Sequence, residues 1–165
     1  MWAYLNGQIL KEDQAFISPL DRGFTFGDGV YEVIPCYAGK LFLFEDHLKR
    51  LQTSLEKTFI PFTDDIQNLD KILLELQKRN KFLNQSFYIQ VTRGTDVVRS
   101  HQAEKNLKPT VFITSQELQE NPFKINPAVN SFYYTTKPEK PYIHSVEFEK
   151  KAMEDEYQIL LNKQE

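Results

Sequence analysis

The stretch of sequence that decides the fold is Asp21-Arg-Gly-Phe-Thr-Phe-Gly-Asp-Gly-Val-Tyr-Glu-Val33. It carries three glycines and leads directly into an apolar run that ends at residue 37. Glycine permits positive φ and close backbone approach, so this spacing taken alone predicts a tight turn that enters a strand. We therefore expect turn-rich chain over residues 17–29, a strand over residues 30–37 and, after a turn at residues 38–40, a returning strand over residues 41–44.

Both sides of this stretch carry patterns of regular structure. Asn6-Gly7 separates two short segments, residues 2–5 and 8–10, and predicts a hairpin because both central residues of a type I′ turn need positive φ. Farther along, three leucines recur at helical spacing and predict an amphipathic helix over residues 45–57, with its apolar face formed by Leu48, Leu51 and Leu55.

A second helix is predicted to begin after Thr63, whose hydroxyl suits a helix cap, and the acidic residues of its first turn suit the helix dipole. Its apolar stripe consists of Ile66, Leu69, Ile72, Leu73 and Leu76. Strands are predicted over residues 85–92, 110–115 and 129–135, then a short helix over 147–155 and a strand over 157–161. Together these elements predict an α+β fold, a two-layer domain with a mostly antiparallel sheet and two main helices against one face.

Composition limits the classes of function. The net charge is −3, with 41% hydrophobic and 26% charged residues, values typical of a globular domain without the basic patch of a nucleic-acid-binding protein. No apolar run reaches about 18 residues, and the N-terminus lacks a basic region followed by an apolar core, so we expect neither a membrane span nor a signal peptide. The single cysteine, Cys36, fits a cytoplasmic location.

The full string over residues 21–33 resembles the signature of the class IV aminotransferases, enzymes that use pyridoxal 5'-phosphate (PLP). That family includes D-amino-acid transaminases, branched-chain transaminases and aminodeoxychorismate lyases. Glu45-Asp-His-Leu-Lys-Arg-Leu51 resembles the family's His-x-x-Arg-Leu helix, and Tyr88-Ile-Gln-Val-Thr-Arg-Gly94 with Arg99-Ser-His-Gln102 resembles the D-amino-acid transaminase strand and loop. The resemblance covers residues 2–122 and implies the small N-terminal domain of that fold, with amino-group transfer between amino acids and 2-oxo acids.

The resemblance also assigns roles to four residues. In the family, the arginine at the position of Arg50 contacts the PLP phosphate, a task that suits the permanent charge and bidentate fork of arginine. Arg99 and His101 match a pair that holds the substrate carboxylate and reaches into the neighbouring subunit's site of a homodimer, and Tyr31 matches a residue that joins them. Two residues apart in an extended loop, Arg99 and His101 lie on one side. From the residues alone, a solvated arginine and an ordinary charged loop are the simpler interpretations.

The catalytic lysine is the point at which the sequence departs from the family. The family string Asp-Ile-Lys-Ser-Leu-Asn is matched best by Pro141-Tyr-Ile-His-Ser-Val-Glu147, which places His144 at the lysine position. Histidine cannot form the imine with PLP, because a stable imine needs a primary amine. Lys150 and Lys151 are the alternatives, although their flanking residues fit less well.

Two regions are expected on this basis: residues 1–136 as the small domain, and residues 137–165 as a linker and the truncated start of the PLP-binding domain. The family's acidic partner of the pyridine nitrogen and most of its phosphate contacts have no counterpart before Glu165, so we expect this chain to be inactive as a transaminase by itself. Two alternatives come from other classes. One is a non-catalytic module that pairs with itself or with a full-length relative, and the other is a free-standing binder of small carboxylates.

Five polar or reactive side chains are interpreted as structural. Asp28 and Glu32 are four residues apart in a turn and strand, so their carboxylates need not converge. His47 and Glu45 lack the spacing of a metal site, and we expect no metal. Cys36 lies mid-strand with no identifiable base, and free cysteines of this kind are usually buried and inert.

Overall fold

The structure is a computed structural model that describes residues 1–118. Its sheet begins with a hairpin whose turn residues are Asn6 and Gly7. Strand β1 (Trp2–Leu5) pairs antiparallel with β2 (Gln8–Lys11), and the two turn residues have φ values of 48° and 93°. Positive φ at both positions is the geometry of a type I′ turn. The hairpin prediction is therefore confirmed, and a short 3-10 helix (Glu12–Gln14) follows it.

Four further strands complete the sheet: β3 (Gly29–Tyr37), β4 (Lys40–Leu41), β5 (Gln85–Thr92) and β6 (Thr110–Glu117). Their order is β2-β1-β6-β5-β3-β4, and every neighbouring pair is antiparallel. The predictions for β3, β5 and β6 are confirmed, and so is the α+β class with its antiparallel sheet.

The helices of the described chain are α1 (Arg22–Phe26), α2 (Phe44–Thr58), α3 (Asp64–Gln67) and α4 (Leu69–Asn80). Helix α2 packs on β3, whereas α4 packs on β1 and β6. The two predicted apolar stripes lie in the core, since Leu51, Leu55 and Leu73 are at most 1% exposed. Two main helices thus cover one face of the sheet, as predicted.

Three local predictions need correction. The turn-rich segment before β3 contains the short helix α1, which an N-cap bond from the Gly23 amide to the Asp21 carboxylate stabilises. The predicted return strand at 41–44 ends at Leu41, because Leu43 adopts a left-handed φ of 43° and α2 begins at the next residue. The predicted second helix is divided at Asn68, which leaves helical geometry.

Thr63 does lie at the N-cap position of α3, but its side chain makes no cap hydrogen bond. Its Oγ1 atom is buried and has no hydrogen-bond partner within residues 1–118. The predicted cap is thus right in position and wrong in mechanism. The start of α3 is held by the Tyr4 hydroxyl, which donates to the Asp65 carboxylate.

The two faces of the sheet differ in exposure. Ile34, Phe87 and Ile89 point into the core between sheet and helices and are fully buried. On the opposite face, where alternate residues of the same strands point, Tyr31 is 66% exposed and Val33 is 37% exposed. This second face is where Tyr31 lies, away from the helices.

Several predictions fall outside the described residues. They are the strand at 129–135, the helix at 147–155, the strand at 157–161 and the boundary between residues 136 and 137. Over residues 1–118, no helix has the length and apolar character needed to cross a bilayer.

Candidate functional site

The turn before β3 is fixed by Asp21, which is 1% exposed. Its carboxylate accepts hydrogen bonds from the Gly23 amide, from Thr92 Oγ1 at 3.0 Å and from Thr110 Oγ1 at 2.7 Å. A Cβ atom on Gly23 would lie 2.3 Å from the Thr92 methyl carbon, so only glycine fits against β5 there. Helix α1 is therefore tied to the ends of two central strands.

Arg22, at the start of α1, is 5% exposed and lies in a cluster of opposite charges. Its Nε atom donates to Asp28 at 2.9 Å and its Nη1 atom to Asp96 at 3.2 Å. Arg93 donates to both oxygens of Asp28, at 2.7 and 2.9 Å. The hydrogen bonds from Arg93, together with those from Arg22, hold the pKa of Asp28 below its usual range.

The same guanidinium reaches the loop that follows β5. Arg22 Nη1 donates to the Ser100 carbonyl at 2.8 Å, and Nη2 donates to the His101 carbonyl at 3.2 Å. The side chains of Arg99 and His101 lie against one ring, that of Phe26 in α1. The Arg99 guanidinium carbon is 4.9 Å and the His101 ring centre 5.2 Å from the centre of the Phe26 ring. The structure thus places Arg99 and His101 side by side, and both are exposed.

Tyr31 lies elsewhere on the described chain, on the exposed face of β3. Its ring stacks on Tyr88 of the adjacent strand, with the ring centres 5.8 Å apart. Within residues 1–118 its hydroxyl makes no hydrogen bond to Arg99 or His101. Of the three predicted carboxylate-binding residues, Arg99 and His101 therefore lie together and Tyr31 lies apart from them.

Arg50 is held by a buried carboxylate on the core side of β3. Its Nε atom donates to one oxygen of Glu32 at 2.8 Å, and Nη2 donates to the other at 2.6 Å. His47 Nδ1 lies 3.1 Å from Glu32, and the Val33 amide donates to the same carboxylate. The Arg50 side chain is 53% exposed, whereas that of Glu32 is 5% exposed. Glu32 thus fixes the Arg50 guanidinium from the core side, and the Arg50 side chain remains half-exposed to solvent.

This cluster determines the charge state of Glu32. Burial by itself disfavours the carboxylate and would raise the pKa, but the hydrogen bonds from Arg50 and His47 outweigh it and lower the pKa of Glu32 to about 2. Glu32 is therefore a permanent anion near neutral pH. Its negative charge is what keeps the Arg50 guanidinium in one orientation.

The residues interpreted as structural occupy separate places. Asp28 and Glu32 belong to different ion-pair clusters and do not converge. His47 pairs with Glu32 rather than Glu45, and over residues 1–118 no three His, Cys, Asp or Glu side chains are grouped to hold a metal ion. Cys36 is buried, and burial raises the pKa of its thiol to about 11.

Sequence reasoning missed the side chains that support the candidate residues. Arg22 and Glu32 stand within the signature, but their partners Ser100, His101 and Arg50 are 18 to 79 positions away. Phe26 carried no signal of its own. His144, Lys150 and Lys151 lie outside the described residues.

A family model described as "Amino-transferase class IV" matches residues 29–158. The D-alanine aminotransferase of Staphylococcus epidermidis is 40% identical over 91 residues, which cover 55% of this chain and 32% of that protein. The chain thus matches about a third of the length of this curated relative.

Two solved structures show the same fold at lower identity. The branched-chain amino acid aminotransferase of Escherichia coli has a TM-score of 0.66 and 20% identity, over 72% of this chain and 41% of that one. A hypothetical aminotransferase from Mycobacterium tuberculosis, in its PLP-bound form, has a TM-score of 0.59 and 21% identity, over 71% and 39%. The sheet and its helices thus form a known fold.

Proposed function

Because this chain belongs to the class IV aminotransferase family, we propose that residues 1–118 supply the PLP-phosphate contact and the substrate-carboxylate contact of a D-amino-acid transaminase type of site. The reaction is amino-group transfer between a D-amino acid and a 2-oxo acid. Similarity to D-alanine aminotransferases supports the D-amino-acid branch. The observation that carries the proposal is the fixed geometry of Arg50 on the buried Glu32 carboxylate.

The residues present fit one end of PLP. When bound, PLP supplies an electron sink for the substrate amine. Arg50 would contact its phosphate, since a guanidinium carries a permanent charge and presents its N–H donors in a fork that matches phosphate oxygens. The Arg50 side chain is half-exposed, so an oxygen-rich anion can approach it from the solvent side.

The substrate carboxylate would be bound by Arg99 and His101. A guanidinium and an imidazole side by side offer a charge and several donors to one planar anion. In the homodimer that the resemblance implies, the Arg99 and His101 pair of one subunit would reach the site of the other, where the exposed Tyr31 would be a third donor. These residues bind and orient the substrate, whereas the proton transfers need an amine or another base outside residues 1–118.

The phosphate contact is tested by comparing PLP with pyridoxal, which lacks the phosphate. We expect the 165-residue chain to bind PLP more tightly than pyridoxal, and Arg50→Ala to lose that preference. A hydrogen-bonded charge contributes roughly 1.5–3 kcal/mol, which corresponds to about 10- to 150-fold in affinity for PLP.

The control for this experiment is Arg79→Ala. Arg79 is also a half-exposed helix arginine paired with a carboxylate, Glu75 at 2.9 Å, but it lies on α4. Its removal should leave the ratio of the two dissociation constants unchanged. An unaltered ratio in Arg50→Ala, measured by isothermal titration calorimetry, would refute the proposed phosphate contact.

A further inference from the structure

Three side chains surround the ring of Phe26, the last residue of α1. The guanidinium carbons of Arg22 and Arg99 lie 4.7 and 4.9 Å from its centre, and the His101 ring is tilted against it at 50°. Arg22 and the 99–101 loop are distant in sequence, so this contact is a tertiary one. We call these four residues the Phe26 cluster.

The contacts of the Phe26 cluster fix the loop from two directions. Arg22, buried between Asp28 and Asp96, binds the backbone carbonyls of residues 100 and 101. This holds the main chain but not the side chains of Arg99 and His101, which are exposed. Those two side chains lie against the Phe26 ring. The face of an aromatic ring attracts a cation such as the Arg99 guanidinium within about 6 Å, and the His101 ring packs against it at a tilt.

A pair of this kind needs a common support. Long exposed side chains lose rotamer freedom when they are held in one place. A carboxylate of this chain at Arg99 would occupy N–H donors that the substrate carboxylate needs. An aromatic face instead attracts the guanidinium while leaving its N–H donors at the ring edge unpaired with any anion.

We propose that Phe26 is a positioning residue for substrate binding, an aromatic support that holds the Arg99 guanidinium and the His101 imidazole together for one carboxylate. This inference rests on the proposed function of Arg99 and His101. Phe26 itself touches neither the substrate nor the cofactor in this proposal. Its contribution is the geometry of the pair before the substrate arrives.

Helix α1 provides a matched control. Phe24 lies two residues before Phe26 in the same helix, is 80% exposed, and within residues 1–118 makes no ring contact with Arg99 or His101. Phe26→Leu removes the aromatic face and keeps an apolar side chain. Phe26→Tyr keeps the face, and Phe24→Leu makes the same chemical change at the neighbouring position.

The first measurement uses the unliganded 165-residue chain. The Phe26 ring current should shift the His101 ring protons in the NMR spectrum, assigned with a His101→Gln variant. Phe26→Leu should return these protons to the values of a free histidine, whereas Phe26→Tyr and Phe24→Leu should not. Unchanged His101 shifts in Phe26→Leu would overturn the proposal. Thermal unfolding of each variant verifies that it is folded. If Phe26→Leu is not folded, the unmodified chain carries the test, because His101 ring protons at free-histidine values in that chain would overturn the proposal.

The second measurement is a titration with pyruvate, a small 2-oxo acid, and with methyl pyruvate, which lacks the carboxylate. The chain should bind pyruvate preferentially, Arg99→Ala should abolish the preference, and Phe26→Leu should weaken pyruvate binding roughly three- to tenfold. Phe26→Tyr and Phe24→Leu should bind as the unmodified chain does.

The two failures are distinguishable. The carboxylate role of the loop is wrong if Arg99→Ala binds pyruvate as well as the unmodified chain does. It is also wrong if the unmodified chain does not prefer pyruvate to methyl pyruvate. In either case the proposed role of Phe26 is wrong as well. If Arg99→Ala loses binding but Phe26→Leu does not, the proposed function stands and the positioning role of Phe26 is overturned.

Discussion

At the scale of single residues, Glu32 connects strand β3 to two side chains of helix α2. Its carboxylate is 5% exposed and accepts hydrogen bonds from Arg50, His47 and the Val33 amide. A buried carboxylate is costly unless it is paired, and this one is paired with an arginine that solvent also reaches. The stability of β3 against α2 and the orientation of Arg50 therefore depend on one charge.

Glu32→Gln keeps the shape of the side chain and removes that charge. Because Arg50 is half-exposed and can be rehydrated, we expect the free energy of unfolding to fall by about 1–3 kcal/mol, less than for a fully buried pair. Urea denaturation measures this loss. Glu75→Gln, which breaks the exposed pair with Arg79, should cost less than about 0.5 kcal/mol. Equal losses in the two variants would contradict the structural role of Glu32.

The same variant makes a prediction about pH. Since the folded-state pKa of Glu32 is about 2, below its ordinary value of 4.5, its ionised form stabilises the fold above pH 4.5. That stabilisation, on the order of 2–3 kcal/mol, is lost as the pH falls from about 5 towards 2. The acid-unfolding curve of Glu32→Gln should therefore be flatter over this range than that of the unmodified chain. Parallel curves would show that other carboxylates govern acid unfolding.

Sequence alone could identify these residues but not their partners. Arg22 and Glu32 both belong to the glycine-rich stretch, yet nothing near them in sequence indicates Ser100, His101 or Arg50. The register of β3 determines which side of the sheet Glu32 faces, and that register is set by pairing with β5. In the sequence, Phe26 is indistinguishable from any apolar residue of a turn, because its contacts with Arg99 and His101 exist only in the folded chain.

At the scale of elements, the sequence predicted a helix or hairpin correctly where a short local pattern determines it. Asn6-Gly7 specified the hairpin, and the leucine spacing specified α2. The division between α3 and α4 could not be predicted, because the apolar stripe continues through it. Asn68 sits at the break, with its Nδ2 atom donating to the Asp64 carbonyl, which competes with helical hydrogen bonding.

Helix α3 has only four residues, so its position depends on a tertiary contact. The buried Tyr4 hydroxyl, on β1, donates to the Asp65 carboxylate. Burial and this contact together raise the pKa of Tyr4 above its ordinary range, so it remains the donor at every accessible pH. We expect Tyr4→Phe to lower the free energy of unfolding by about 1.5–3 kcal/mol, because the bond is to a charged acceptor.

Urea denaturation and amide hydrogen exchange check this prediction, with the amides of residues 66–68, which donate to the Thr63 and Asp64 carbonyls, losing protection first. The matched control is Tyr88→Phe, which removes a hydroxyl that donates to Gln90 at 3.0 Å on the open face of the sheet. A neutral, half-exposed bond of that kind should contribute less than about 1 kcal/mol. Full protection of the amides of residues 66–68 in Tyr4→Phe would show that α3 is held by its apolar contacts alone.

At the scale of the whole molecule, the proposed function gives the described residues the task of binding and orienting the substrate and leaves the chemistry to an amine elsewhere. The sequence aligns His144 with the family's lysine and offers Lys150 and Lys151 nearby, all outside residues 1–118. The fold, though not the contacts between side chains, could be predicted as far as residue 118 because patterning and motif agree there. Beyond it the motif match and the spacing of lysines point to different alignments, so only a chemical experiment separates them.

The experiment is to mix the 165-residue chain with PLP, reduce with borohydride and map the modified peptides by mass spectrometry. A lysine amine condenses with the aldehyde and loses water, and reduction makes the link permanent; histidine cannot do this. If His144 occupies the lysine position, the unmodified chain should be labelled at many surface lysines to the same extent by PLP and by pyridoxal. His144→Lys should then gain one site that PLP labels preferentially, and that site should disappear when Arg50→Ala is added. Preferential labelling of Lys150 or Lys151 in the unmodified chain would instead make that residue the cofactor lysine and refute the His144 alignment.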